Sequence, residues 1–185
     1  DELKEIRDRI KKRVEELRRE NEEVREEIER IVRKAREDHR RVERELEDLV
    51  RRARDKVEKI KDRETLKRLL DKVEKDIRKI LDELRRLNEE VARTLEKLLR
   101  DDKRLVDKAA EDLRRLIEEL KKSRADEEEV RRVVKEVEEL LEDLKRHSEK
   151  VKEEVKRLLE ESSREVERVE EKAREMLERL RERAR

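Results

Sequence analysis

Seven polar side chains interrupt an otherwise apolar stripe in this sequence, and several are of types that carry chemistry in other proteins. They are Asn21, His39, Asn88, Asp102, His147, Ser148 and Ser162. An aspartate, a histidine and a serine together are the components of a nucleophilic triad. Histidines are also common ligands of zinc. These seven residues are therefore the first candidates for a functional site.

Their spacing, however, disfavours both catalysis and metal binding. Ser148 directly follows His147, so on a helix the two side chains point about 100° apart. A continuous helix also leaves no free backbone N–H to stabilise an oxyanion. Arg36 and Leu144 stand three residues before the histidines, so the Glu-x-x-His pairs of di-metal bundles are missing. We expect no catalytic residue, no cofactor and no metal site.

Composition excludes further classes of site and partner. The 185 residues include 59 Lys and Arg, 58 Asp and Glu, and no Gly, Pro, Cys, Phe, Tyr or Trp. Glycine-rich phosphate loops, disulfides and thiolate metal sites are thereby ruled out. A net charge of +1 with interleaved signs offers no basic face to a nucleic acid. Apolar runs such as Val133-Val134 are too short to span a membrane, and the start at Asp1 predicts a processed N-terminus.

The apolar residues are spaced for helices. Steps of three and four alternate from Leu3 onward, which places them on one helical face. This rhythm breaks at residues 61–65 and again at 123–126, so we predict helices at about 2–61, 64–122 and 126–184. The second break ends in a capping box that begins at Asp126, and the first offers Asp62 or Thr65 as the cap.

The apolar stripe also repeats every 18 residues, as in Ile6, Val24, Val42 and Ile60. Eighteen residues in five turns give 3.6 residues per turn, so the helices should be nearly straight, and each roughly 90 Å long. A stripe this narrow favours a closed bundle of three. We therefore predict an all-α, up-down-up three-helix bundle of long, nearly straight antiparallel helices, with residues 1–185 in a single domain.

The polar residues fall into two layers when the helices are folded antiparallel. A turn near residue 63 brings to the same level those residues of the first and second helices whose numbers add to about 126. The second break does the same for residues of the second and third helices whose numbers add to about 248. One predicted layer contains His39, Asn88 and Ser162. The other contains Asn21, Asp102 and His147, with Ser148 beside it.

Such layers are expected to specify register. A slipped helix would leave a buried amide, imidazole or carboxylate unpaired, at about 1–3 kcal/mol for a neutral group. The pKa of His39, among neutral groups, should be lowered by burial. The pKa of His147, predicted to face Asp102, should be raised by that carboxylate.

The chain resembles a known family in several features together. These are the 18-residue repeats, the Glu/Lys/Arg surface, the Val/Ile/Leu stripe, the cap at Asp126 and the isolated polar residues on the stripe. On these features it resembles de novo designed, parametrically generated straight helical bundles with buried hydrogen-bond networks.

The resemblance covers the whole chain and implies a structural scaffold without natural biochemical activity. The chain should be a monomer that requires no partner and binds neither nucleic acid nor membrane. Two alternatives stay open. One is a binding module, a component of a designed helical hetero-oligomer, and the other is a pH-responsive bundle that depends on His39 and His147.

Overall fold

The computed structural model describes residues 2–185, which form three helices. Helix α1 spans Glu2–Lys59, α2 spans Arg63–Lys122 and α3 spans Glu127–Arg183. The predicted all-α three-helix bundle is confirmed, although α1 ends two residues before its predicted end. Asp1, on which the expectation of a processed N-terminus rests, lies outside the described residues.

Both connections are held by short-range hydrogen bonds. The backbone N–H and the hydroxyl of Thr65 donate to Oδ2 of Asp62 at 3.4 and 2.9 Å, so Asp62 caps α2. These hydrogen bonds, the hydroxyl first, lower the pKa of Asp62. Before α3, the Asp126 carbonyl accepts the first helical hydrogen bond, from Val130, at 3.0 Å. No residue in 2–185 has a positive φ, which explains how the turns form without glycine.

The chain divides into two compact units, each containing a segment of every helix. The first unit comprises the residues up to Arg30 together with Thr94–Lys156. The second comprises Ile31–Arg93 and Arg157–Arg185. Each predicted polar layer therefore falls within one unit.

In the first unit, ion pairs establish that α1 and α2 run antiparallel. Arg9 pairs with Glu119 at 2.8 Å and Arg13 pairs with Asp112 at 3.0 Å, so residue numbers rise on one helix as they fall on the other. Between the three helix segments lies an apolar core. Its buried members are Leu3, Ile6, Ile10, Val14, Leu113, Leu116, Ile117, Leu120, Val130, Val133 and Val137.

In the second unit, α1 and α3 run parallel, because Glu43 pairs with Arg168 and Glu47 with Lys172. The helix α2 runs antiparallel to α3, as two further ion pairs indicate: Glu74–Arg181 and Arg85–Glu170. The core of this unit includes Val42, Leu46, Val50, Ala53, Val57, Val73, Ile77, Leu84, Val166, Val169, Ala173 and Leu180.

Candidate functional site

In the first unit, Asp102 of the predicted layer is only 3% exposed. The Ser148 hydroxyl donates a hydrogen bond to Oδ2 of Asp102 at 3.2 Å. Burial raises the pKa of Asp102 above its ordinary value, while the Ser148 hydrogen bond and the charge of His147 act in the opposite direction. The carboxyl group is thus held by one neutral donor in a place that disfavours its charge.

His147 has a different partner from the one that the sequence predicted. Its Nδ1 lies 3.2 Å from Nη2 of Arg25, across the boundary between α3 and α1. Burial, followed by the charge of Arg25, lowers the pKa of His147, and the opposing effect of Asp102 is smaller. The expectation of a raised pKa is therefore wrong, because burial and the charge of Arg25, which reaches this imidazole from α1, together outweigh the effect of Asp102.

In the second unit, two members of the predicted layer are hydrogen-bonded to each other. The Ser162 hydroxyl donates to Oδ1 of Asn88 at 2.5 Å. His39, the third member, is 7% exposed. Burial lowers its pKa, as predicted, against the weaker influence of the Glu165 and Asp38 carboxylates.

Two polar atoms of the layers are buried without a hydrogen-bond partner in the described part of the chain. They are Oδ1 of Asn21 and Nε2 of His39. A buried polar group without a partner costs about 1–3 kcal/mol. Asn21 and His147 line one cavity between α1 and α3, so they share a location although no hydrogen bond joins them.

The 18-residue repeat provides an internal comparison for Asp102. It stands one repeat from Leu84 and one from Leu120, both of which are fully buried. In α1, the same repeat position is occupied in turn by Leu3, Asn21, His39 and Val57. A polar side chain therefore replaces a core residue at each of these places.

The same comparison holds for most of the remaining polar residues. Ser148 corresponds to Val130 and Val166, and Ser162 to Leu144 and Leu180. Asn88 corresponds to Leu70, one repeat before it, and to Val106, one repeat after it.

His147 is the exception. Its equivalents in α3 are Glu129, Glu165 and Arg183, so it occupies a charged position at the edge of the core. This explains why it contacts Arg25 across the helix boundary while the neighbouring Ser148 reaches the interior.

The arrangement has little capacity for nucleophilic chemistry. The Ser148 hydroxyl donates to the Asp102 carboxylate, and the imidazole of His147 accepts from Arg25 instead of from a serine. The serine is therefore not paired with a general base in the way a triad requires.

Neither a metal cluster nor a membrane-spanning helix is present in the part of the chain that the structure describes. Across residues 2–185, no three or more His, Asp or Glu side chains are grouped so that they could hold a metal ion. None of the helices in this range is long and apolar enough to cross a membrane.

Comparison with solved structures identifies a similar fold. A protein described as a computationally designed three-helix bundle matches with a TM-score of 0.64 and 16% sequence identity, over 99% of this chain and 90% of that one. The chain shares the fold of that designed bundle. Comparisons with protein-family models and with curated proteins give no match. At this level of identity the likeness to the designed three-helix bundle concerns the fold alone.

Proposed function

We propose that the chain is a designed structural scaffold, a monomeric three-helix bundle whose polar layers specify register. It acts without catalysis, cofactor or obligatory partner. The description of the similar structure as computationally designed supports the proposed origin. The polar layers then serve to make one arrangement of the helices more stable than its competitors.

The observation that carries this proposal is the placement of Asp102 relative to its repeats. Leu84 and Leu120 are fully buried at the equivalent positions, so an apolar side chain fits there. A buried carboxylate lowers stability, and it does so most when nothing hydrogen-bonds to it; Ser148 supplies one hydrogen bond from the facing helix. An arrangement that separated the two would leave the carboxylate buried and unpaired.

The apolar side chains support a monomer because the three helices of one chain already cover them. Fully buried leucines include Leu46, Leu84, Leu113 and Leu120, each on a face directed to the core of its own unit. We also propose that the two units unfold in a single transition, since all three helices are continuous through both.

The proposal that polar residues specify register can be tested by introducing the Asp102–Ser148 pair of the first unit at the equivalent positions of the second unit. Shifting by one repeat places Asp102 at Leu84 and Ser148 at Val166. The variant Leu84→Asp should lose about 3–5 kcal/mol of unfolding free energy, because its carboxylate is buried without a partner. Adding Val166→Ser should recover about 1–3 kcal/mol through the transplanted hydrogen bond.

The single variant Val166→Ser completes a double-mutant cycle measured by urea unfolding. A favourable coupling between the two substitutions is expected. Additive losses, with no coupling, would contradict the proposal that the polar residues act as matched sets.

A further inference from the structure

A cavity of about 400 Å³ lies between α1 and α3 in the second unit, where α3 nears its end. The apolar part of its lining consists of Val50, Met176 and Leu180. Val50 and Leu180 belong to the buried core of this unit. The volume is within the range of small-molecule sites, about 300–1,000 Å³. Because the rest of the lining is mostly arginine, we call it the arginine cavity.

The charged lining of the arginine cavity is predominantly cationic. Arg54, Arg179 and Arg183 line it together with a single carboxylate, that of Glu182. Arg183 is paired with Glu58 at 3.3 Å. Within residues 2–185, Arg54, Arg179 and Glu182 are exposed and take part in no ion pair. Counting Glu58 and Glu182 against the three arginines leaves one positive charge in excess.

The ion pairs between α1 and α3 in this unit follow one register. Three of them join residues that are 125 positions apart: Glu43–Arg168, Glu47–Lys172 and Glu58–Arg183. Residues 43, 47, 54 and 58 lie within about 60° of one another around a helix with 3.6 residues per turn. Arg54 therefore belongs to the same face of α1, and Arg179 stands 125 positions from it on α3.

The Arg54 and Arg179 positions are the exception in this register. The three neighbouring pairs set a carboxylate opposite a cation, whereas here a cation stands opposite a cation. Two like charges repel across such an interface. An anion bound between the two arginines would be attracted to both, as the carboxylates are to their partners at the neighbouring positions.

The donors favour an oxyanion of the phosphate type. Each guanidinium group presents N–H donors in a planar fork that matches two oxygens of a phosphate. A phosphate group has enough oxygens to accept hydrogen bonds from two forks, one from each helix, whereas the two oxygens of a carboxylate are occupied by one fork. A phosphate therefore suits a pair of arginines on opposite helices better than a carboxylate does.

We propose that the arginine cavity binds a phosphate group, either as the free ion or as the head of a small organic monoester. The phosphate oxygens accept hydrogen bonds from Arg54 and Arg179, and the organic part of a monoester covers the half-buried Met176. The site is independent of the scaffold role, because none of the seven polar residues of the apolar stripe lines it.

Binding can be measured by phosphorus NMR with orthophosphate and with phenyl phosphate, each titrated at constant pH and ionic strength. We expect a saturable change in the phosphorus shift for both ligands. Tighter binding of phenyl phosphate would assign the site to organic monoesters, and equal affinity would assign it to the free ion. Either result supports the phosphate site.

Two charge reversals locate the site. Arg54→Glu and Arg179→Glu each place a carboxylate opposite an arginine, and each should weaken phosphate binding by about tenfold or more, because one charged fork is lost. Arg52→Glu is the matched control. It makes the same change in net charge, and Arg52 is exposed on α1 without lining the cavity. The affinity of this control should stay within about twofold of the unaltered chain.

Urea unfolding provides a second readout and shows whether the variants are folded. Arg54→Glu and Arg179→Glu should keep the urea midpoint or raise it, because each removes a pair of like charges. Phosphate also stabilises proteins by its exclusion from their surface. The informative quantity is therefore the additional rise in midpoint with phosphate that the unaltered chain and Arg52→Glu show over the two charge reversals.

Three outcomes would overturn the proposal. The first is the absence of a saturable phosphorus shift with the unaltered chain. The second is unchanged affinity in both charge reversals. The third is an equal loss of affinity in Arg52→Glu, which would mean that phosphate responds only to the net charge of the chain.

Discussion

Arg25 donates a hydrogen bond from Nη2 to Nδ1 of His147 at 3.2 Å. A guanidinium group has donors and no acceptor, so Nδ1 must be the unprotonated nitrogen. The neutral imidazole therefore carries its hydrogen on Nε2. Protonation of His147 would break this bond and place a new cation beside Arg25.

Both histidines should consequently titrate below the ordinary histidine value. Burial is the leading cause of the lowered pKa in His39 and in His147. An NMR titration of the imidazole signals will measure both values. Arg25→Gln should raise the pKa of His147 and leave that of His39 unchanged. A His147 pKa above 6.5 in the unaltered chain would contradict the Arg25 contact.

The sign of the effect on stability follows from these pKa shifts. A histidine with a lowered folded-state pKa binds protons more readily when unfolded, so stability falls as pH drops from about 6.5 toward the folded value and then levels. The large apolar cores should nevertheless keep the chain folded at pH 5. Helicity measured by circular dichroism at pH 7 and pH 5 is expected to be equal. Cooperative unfolding near pH 5 would instead favour a pH-responsive bundle.

Asp102→Asn should raise the unfolding free energy at pH 7 by about 1–3 kcal/mol, because it removes a buried charge and retains an acceptor for Ser148. The pKa of Asp102 is raised, so its folded state gains from protonation. The cost of the charge is therefore present at neutral pH and declines as pH falls through the folded pKa.

Urea unfolding at pH 7 and pH 3.5 will check this, with Asp107→Asn as the control because Asp107 is exposed. The advantage of Asp102→Asn should shrink in acid, and Asp107→Asn should show little change at either pH. A loss of stability in Asp102→Asn at pH 7 would mean that the carboxylate is favourably paired.

Leu95→Ala should cost about 2–5 kcal/mol of unfolding free energy, because Leu95 is 1% exposed and truncation leaves a cavity. Leu46→Ala, at a fully buried position, should cost a similar amount. Glu15→Gln, on the exposed surface, should change stability by under about 0.5 kcal/mol. Denaturant unfolding of the three variants gives the comparison, and equal effects would show that the core has been misplaced.

Glu43→Gln should lower stability by about 1 kcal/mol or less, and more at low salt than at high salt. Hydrogen bonds from Lys172 and then from Arg168 lower the pKa of Glu43. The stabilising contribution of Glu43 is therefore fully present at pH values above the ordinary glutamate pKa. It is lost as pH falls through the pKa of Glu43 in the folded state. Glu58→Gln is the control, since Glu58 is exposed in its pair with Arg183. Equal salt dependence in both variants would argue against a network centred on Glu43.

The helices could be predicted from the sequence because their determinants are local. Alternating steps of three and four mark the buried face, and the breaks near Asp62 and Asp126 coincide with helix starts in the structure. Counting residues outward from the two breaks also places Asn88 at the same level as Ser162. These two residues are hydrogen-bonded in the structure.

The contacts within the layers could be predicted only in part. Counting along helices gives the level of a residue but not its rotation about the helix axis. For that reason the sequence assigned Asp102 to His147, whereas Ser148 makes the hydrogen bond. Arg25 was missed because it stands among many surface arginines. The signal that could have found it is the repeat, which places His147 at the charged edge with Glu129 and Glu165.

We propose that the seven polar residues of the apolar stripe, of which His39 and Asp102 are buried, select one arrangement of the chain. The most direct test is light scattering coupled to size exclusion, comparing the unaltered chain with a variant that replaces the polar residues by their repeat equivalents. The substitutions are Asn21→Leu, His39→Val, Asn88→Leu, Asp102→Leu, His147→Glu, Ser148→Val and Ser162→Leu. We expect the unaltered chain to give a single monomeric mass of 23.0 kDa, and the variant to remain helical but give several masses. A variant that elutes as one monomeric species would contradict the claim.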